Sequence, residues 1–172
     1  SSFNNVGILA NDSMYVFVEV TVDPNGGNQP LLIQDSVLFT VNGIRQSVLL
    51  EAYGQDVNLY KGGVTITKDS ILTANRPYLI YDSLVIAKGV SLNIEKGATF
   101  YMHDKASLIV HGSMNALGTL DEPITFRGDR LDYILNDILP YDRTPGQWGG
   151  ITFKTDSYGN VWDNVIVRNG TS

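Results

Sequence analysis

Four aspartates crowd one stretch of this chain, Asp129, Asp132, Asp137 and Asp142, with Arg127, Arg130 and Arg143 among them. Two carboxyl groups about 5–9 Å apart are the chemistry of glycosidic-bond cleavage, one serving as acid and the other as base or nucleophile. Clustered acids also suit calcium, but the run follows neither an EF-hand register nor an acidic nonapeptide repeat. Leu131, Ile134, Leu135, Ile138 and Leu139 are threaded between the charges. That mixture reads as a solvated, partly amphipathic excursion packed on a larger body.

Other chemistry is sparse. His103 and His111 are eight residues apart, whereas ligands on one strand would alternate and zinc needs three or four donors. They read as surface or ladder histidines satisfied by neighbouring backbone. No G-x-S-x-G elbow is present for a serine nucleophile. The glycine pairs Gly62-Gly63 and Gly149-Gly150 lack the lysine and the strand–loop–helix setting of a phosphate loop, and read as sharp turns. No catalytic, cofactor or metal site is assigned. Among the aromatics, Phe100 and Phe153 are expected in the core. Tyr133, Tyr141 and Trp148, with Asp137 and Asp142, are the candidate contacts for a partner, because they lie in or beside a segment that departs from the surrounding period.

That period belongs to the elements that would position these residues. From Tyr78 onwards the chain is a succession of short strands punctuated by glycine and turns, each too short to bury a face alone. Leu84 to Leu108 is 24 residues, Leu92 to Met114 is 22 and Phe100 to Ile124 is 24. A repeat of about 23 fits three strands and three turns per coil, with period two within each strand. Leu108 to Ile151 is 43, one coil plus an insertion at 129–147.

The first third has a different character. Residues 14–22 alternate, with Val16, Val18, Val20 and Val22 on one side, and predict a strand. Residues 36–41 and 44–52 flank Asn42-Gly43, a dipeptide that accepts positive φ at both turn positions and predicts a hairpin. Three or four strands fall short of the seven or so of an immunoglobulin-like sandwich. The expected organisation is a partial sandwich over 1–57, a transition over 58–77 and coils over 78–172.

Composition sets the limits. The chain has 172 residues, 43% hydrophobic and 17% charged, as suits a folded protein. Net charge is −6 and the twelve Lys and Arg are scattered, so a nucleic-acid partner is not expected. There is no cysteine, hence no disulfide or thiolate site. No apolar run approaches the eighteen or so residues that span a bilayer. Ser1-Ser2-Phe3-Asn4-Asn5 does not read as a signal peptide.

Three segments carry a resemblance: Ile94-Glu95-Lys96-Gly97, then Gly118-Thr119-Leu120-Asp121-Glu122-Pro123-Ile124-Thr125-Phe126, then Pro145-Gly146-Gln147-Trp148-Gly149-Gly150-Ile151. They resemble the opening coils of a right-handed parallel β-helix of the pectin-lyase-like fold, in Bacteroidetes proteins that are exported or held at the cell surface. The preceding segment, from Phe17–Val22 through Glu51–Asp56, looks like the last strands of the immunoglobulin-like domain of such proteins. The resemblance implies an all-β fold and an outer-membrane or cell-surface location, with a lipid anchor on a segment outside this chain. It implies no cofactor, and a protein or glycan partner, including an outer-membrane complex. Further coils or another chain are expected to cover the C-terminal end. The Bacteroidetes O-glycosylation pattern matches at Ser13, Ser36, Ser70 and Ser83, each preceded by Asp, although Asp-Ser is also ordinary turn chemistry. The function expected is a non-catalytic scaffold or binding module. The alternative is the N-terminal part of a carbohydrate-active β-helix enzyme whose catalytic acids lie beyond this chain.

Overall fold

Asn42 and Gly43 form the tip of an antiparallel hairpin in the computed structural model, which describes residues 3–19, 31–54, 56–131 and 141–171. The chain divides into two compact units, one ending at Gly54 and the other running from Gln55. In the first, β1 (Leu31–Val41) pairs with β2 (Ile44–Gly54) in a register that sets Val41 opposite Ile44 and Val37 opposite Val48. Asn42 at φ 51° and Gly43 at φ 77° are both left-handed, as a two-residue hairpin turn requires. One face carries Val37, Phe39, Val41, Ile44 and Val48, and it is uncovered: Ile44 is 67% exposed. The strand expected over residues 14–22 is not formed at 14–19, where Tyr15 and Phe17 are exposed; residues 20–22 lie outside the described residues. Alternation fits a segment to a pleat, but a strand exists only where a neighbour completes its hydrogen bonds, and among the described residues none pairs with 14–19.

The second unit runs β3 (Asn58–Tyr60), β4 (Val64–Ile66), β5 (Ser70–Leu72), β6 (Tyr78–Ile80), β7 (Ser83–Ile86), β8 (Ser91–Ile94), β9 (Thr99–Met102), β10 (Ser107–Val110), β11 (Ser113–Leu117), β12 (Ile124–Gly128), β13 (Ile151–Phe153), β14 (Val161–Asp163) and β15 (Val165–Val167). Each strand from β3 to β12 pairs in parallel with the strand three later. The result is a first sheet β3-β6-β9-β12-β15, a second β4-β7-β10-β13 and a third β5-β8-β11-β14. This is the topology of a parallel β-helix, and the unit is all-β. The segment 58–77, which the sequence leaves between two parts, supplies β3–β5 and is the first coil.

Register follows the inward residues. Leu84 pairs with Leu108, Leu92 with Met114 and Leu108 with Ile151, as their spacing predicts. Phe100 pairs with Phe126 rather than Ile124. Ile124, Phe126 and Gly128 all point inward on β12, so hydrophobicity alone permits a slip of two, and ring stacking selects Phe126. Tyr78, Phe100, Phe126 and Trp162 form a column with centroids 4.9, 4.6 and 5.9 Å apart and neighbouring planes within 16°. Burying each such side chain contributes roughly 1.5–3 kcal/mol. Trp162 comes from the third sheet, above Ala116, whose small side chain leaves room for the indole to reach the column. Phe153 departs from expectation: it occupies an inward register opposite Val110 but is 44% exposed, because no strand among the described residues lies on the far side of β13.

Corners are built as carefully as strands. A Cβ on Gly112 would lie 2.0 Å from the Val90 carbonyl oxygen, so only glycine fits there. Acidic side chains accept amide hydrogens from a neighbouring coil: Gly62 N–H donates to Asp82 Oδ2, Ala74 N–H to Glu95 Oε2 and Ser91 N–H to Asp69 Oδ1. These bonds satisfy backbone donors where the ladders break.

Candidate functional site

Outward side chains of the first sheet stack in columns, because each residue sits above its partner about 4.8 Å away. One column runs Leu59, Leu79, Tyr101 and Arg127 through successive pairings, and Arg168 follows the strand residue Val167, the partner of Phe126. Two residues further along the same strands lies a corner column of Lys61, Tyr81, His103 and Asp129. There the Lys61 ammonium lies 5.7 Å from the Tyr81 ring centroid, and the Tyr81 and His103 ring centroids are 4.1 Å apart. His103 Nδ1 is 2.6 Å from Asp129 Oδ2. A carboxylate oxygen accepts, so the contact is one in which Nδ1 carries the hydrogen.

His111 repeats the arrangement at the next corner, with Nδ1 2.9 Å from Asp156 Oδ1. Burial pushes the Asp156 carboxyl up. The hydrogen bond from His111, its own backbone amide and the charges of His111 and Lys88 outweigh that, and it sits below its ordinary value. Both histidines are therefore held by aspartates of the following coil, not by backbone. The sequence concealed this, since the partners are 26 and 45 residues away. The one available signal was the coil spacing, which carries His103 to Asp129.

The return limb of the insertion is docked on the coil body. Asp142, in a 3-10 turn at Tyr141–Arg143, places Oδ2 2.9 Å from Arg168 and Oδ1 3.1 Å from Arg127. Asn169 Nδ2–H donates to the carbonyls of Tyr141, Asp142 and Thr144 at 3.3, 2.8 and 3.0 Å. Gln147 Nε2–H donates to Thr144 O at 2.8 Å and also to Tyr141 O. The Arg130 guanidinium lies 3.8 Å from the Tyr141 ring centroid, a cation–π contact between the two limbs.

The expected contact residues thus divide. Tyr133 and Asp137 lie outside the described residues. Tyr141 and Asp142 are half-buried and engaged with the coil body. Trp148 is not a surface contact: it is 1% exposed, and its Nε1–H donates to Arg168 O at 2.7 Å. An indole flanked by the docked limb has both its apolar body and its one donor satisfied inside. Of the serines in the glycosylation pattern, Ser13 and Ser36 are exposed, with amides bonded to Asp12 and Asp35. Ser70 and Ser83 are half-buried, and their preceding Asp69 and Asp82 accept amides of adjacent coils. Ser70 Oγ–H donates to Lys68 O at 2.7 Å. Among the described residues no group of three or more His, Cys, Asp or Glu could hold a metal ion. Nor is any helix among them long and apolar enough to cross a membrane.

No family model and no solved structure matches the chain. Among curated proteins it is similar to the protein bark beetle of Drosophila melanogaster, 31% identical over 104 residues. That match takes in 58% of this chain and 3% of the fly protein's length.

Proposed function

We propose that this chain is part of a non-catalytic, exported module that presents a right-handed β-helix surface to a protein or glycan at the bacterial cell surface. The observation that carries this reading is the outer face of the first sheet. There Lys61, Tyr81, Tyr101, His103, Arg127 and Arg168 are set in columns on a body fixed by ladder hydrogen bonds. Such a face offers lateral recognition by side chains without a central pocket. In this reading β1 and β2 close an immunoglobulin-like sandwich, whose remaining strands would cover the exposed Phe39, Val41 and Ile44. A further coil or another chain covers Phe153 and Val167, 44% and 48% exposed. Export, a Bacteroidetes origin and a lipid anchor outside these residues belong to the same proposal, as does O-glycosylation, for which Ser13 and Ser36 are the accessible acceptors.

A glycan array combined with a polysaccharide-turnover assay on the full-length exported protein tests it. Binding without turnover is the expected result. Release of shortened products would overturn the non-catalytic reading and direct attention to acids on other coils.

A further inference from the structure

Three asparagines of this chain are followed by glycine: Asn25, Asn42 and Asn169. The pair has a chemistry of its own, because a glycine amide, with no side chain crowding it, can attack the asparagine side-chain carbonyl. Asn25 lies outside the described residues, and the other two are held in opposite ways. Both sit in the left-handed region, Asn42 at φ 51° and Asn169 at φ 64°. Asn42 stands exposed at the tip of the β1–β2 hairpin, and its side chain has no hydrogen-bond partner among the described residues. Around Gly43 there is open space, since a Cβ built there meets nothing within 4 Å. Asn169 is half-buried and bonded at both side-chain ends: Nδ2–H donates to the carbonyls of Tyr141, Asp142 and Thr144, and Oδ1 accepts from Gly128 N–H. Its main chain is fixed as well, with Asn169 O accepting from Gln147 N–H at 2.7 Å and Gly170 O from Gly146 N–H at 3.2 Å.

We infer that Asn42 is a site of spontaneous modification, where the folded chain converts asparagine to isoaspartate and aspartate, and that the fold protects Asn169 from the same reaction. Gly43 N attacks Asn42 Cγ. The N–Cγ bond forms, the Cγ–nitrogen bond of the side-chain amide breaks, and ammonia leaves with the hydrogen from the Gly43 amide. Water then opens the five-membered imide. Attack at Cγ restores the ordinary main chain as aspartate, and attack at the Asn42 main-chain carbonyl leaves the chain running through Cβ and Cγ as isoaspartate. The first step needs rotation about Asn42, so its rate in the folded chain follows how often the tip opens. A single pairing, Val41 with Ile44, closes that tip, whereas Asn169 must release every bond that fastens the return limb. Isoaspartate adds one main-chain atom to a turn that two residues close, which the register of Val41 with Ile44 does not accommodate. Either product adds one negative charge. The strands β3–β15 take no part in the β1–β2 sheet, so the change stays within the first unit.

Ageing the 172-residue chain at mildly alkaline pH, folded and in urea, tests it. Peptide mapping by mass spectrometry reads the mass gained when NH₂ is replaced by OH, fragment ions assign it to Asn42 or Asn169, and electron-transfer fragmentation separates isoaspartate from aspartate. In the folded chain, conversion at Asn42 is expected to be at least about tenfold faster than at Asn169, and in urea the two rates should converge. Asn169 reacting as fast as Asn42 in the folded chain would overturn the protection. An Asn42 that survives in the folded chain while the chain in urea loses it would overturn the site. A difference that persisted in urea would overturn the structural cause. The isoaspartyl form, isolated by ion exchange, is expected to lose amide protection over residues 37–48 and to keep it in β6–β12; unchanged protection over 37–48 would overturn the effect on register.

Discussion

Phe126 stacks on Phe100 with ring centroids 4.6 Å apart and planes 16° from parallel, in strict register across β9 and β12. Both rings are 1% exposed, and each touches another ring on its far side. Phe100→Ala should therefore cost about 3–5 kcal/mol, the range for a buried phenylalanine whose site cannot collapse. Urea unfolding followed by far-UV circular dichroism measures it. A cost below about 1 kcal/mol would mean that the column is not the core.

Gly112 makes a sharper point about corners. With Val90 O only 2.0 Å from a Cβ at this position, Gly112→Ala must push two coils apart. A loss of about 1–3 kcal/mol is expected, whereas Gly89→Ala has open space and is opposed only by its φ of 75°. Thermal melts of the two variants should rank them in that order.

Asn169 fastens the insertion's return limb through three carbonyls and accepts a hydrogen bond from Gly128 N–H at 3.3 Å. Asn169→Ala should lower global stability by roughly 1–3 kcal/mol. It should also speed amide exchange at 144–148, read by hydrogen–deuterium exchange mass spectrometry. Unchanged exchange there would show that the limb's other contacts, with Arg168, Arg127 and Arg130, hold it without Asn169.

Asp156 predicts a pH dependence with a definite sign. Its carboxyl is held below its ordinary value: burial opposes this, and the His111 hydrogen bond leads the causes that prevail. A depressed aspartate contributes stability above its unfolded pKa of about 3.9, and that contribution disappears as pH falls through the lower folded value. The melting-temperature gap between wild type and Asp156→Asn should hold steady above about pH 5 and close as pH drops below about 4. A gap that widened on acidification would contradict the pairing.

How far the sequence discloses this structure depends on separation along the chain. The hairpin at Asn42-Gly43 is legible because its chemistry is local. Coil spacing is legible from Leu84, Leu92 and Leu108 because each recurs inward once per turn. Phe100 shows the limit of that method, since period two leaves Ile124 and Phe126 equally suitable. Residues 58–77 escaped because the pairings Asn58 to Tyr78 and Val64 to Leu84 span 20 residues, shorter than the later coils. Of the site, Asp142 was expected as a partner contact, and its two arginine partners within the chain were not foreseen. Two arginines meet it because the fold brings 127 and 168 onto neighbouring coils, and no local pattern announces that.

The ring column also determines how this body can be watched coming apart. The chain has two tryptophans. Trp162 continues the stack beyond Phe126, and Trp148 is sealed beneath the docked limb by its bond to Arg168 O. The opposite end of the column carries only Tyr60 and Tyr78. Indole emission will therefore register fraying of the β13–β15 end and stay silent while β3–β5 loosen. A difference between fluorescence and circular dichroism midpoints would then tell which end unzips first.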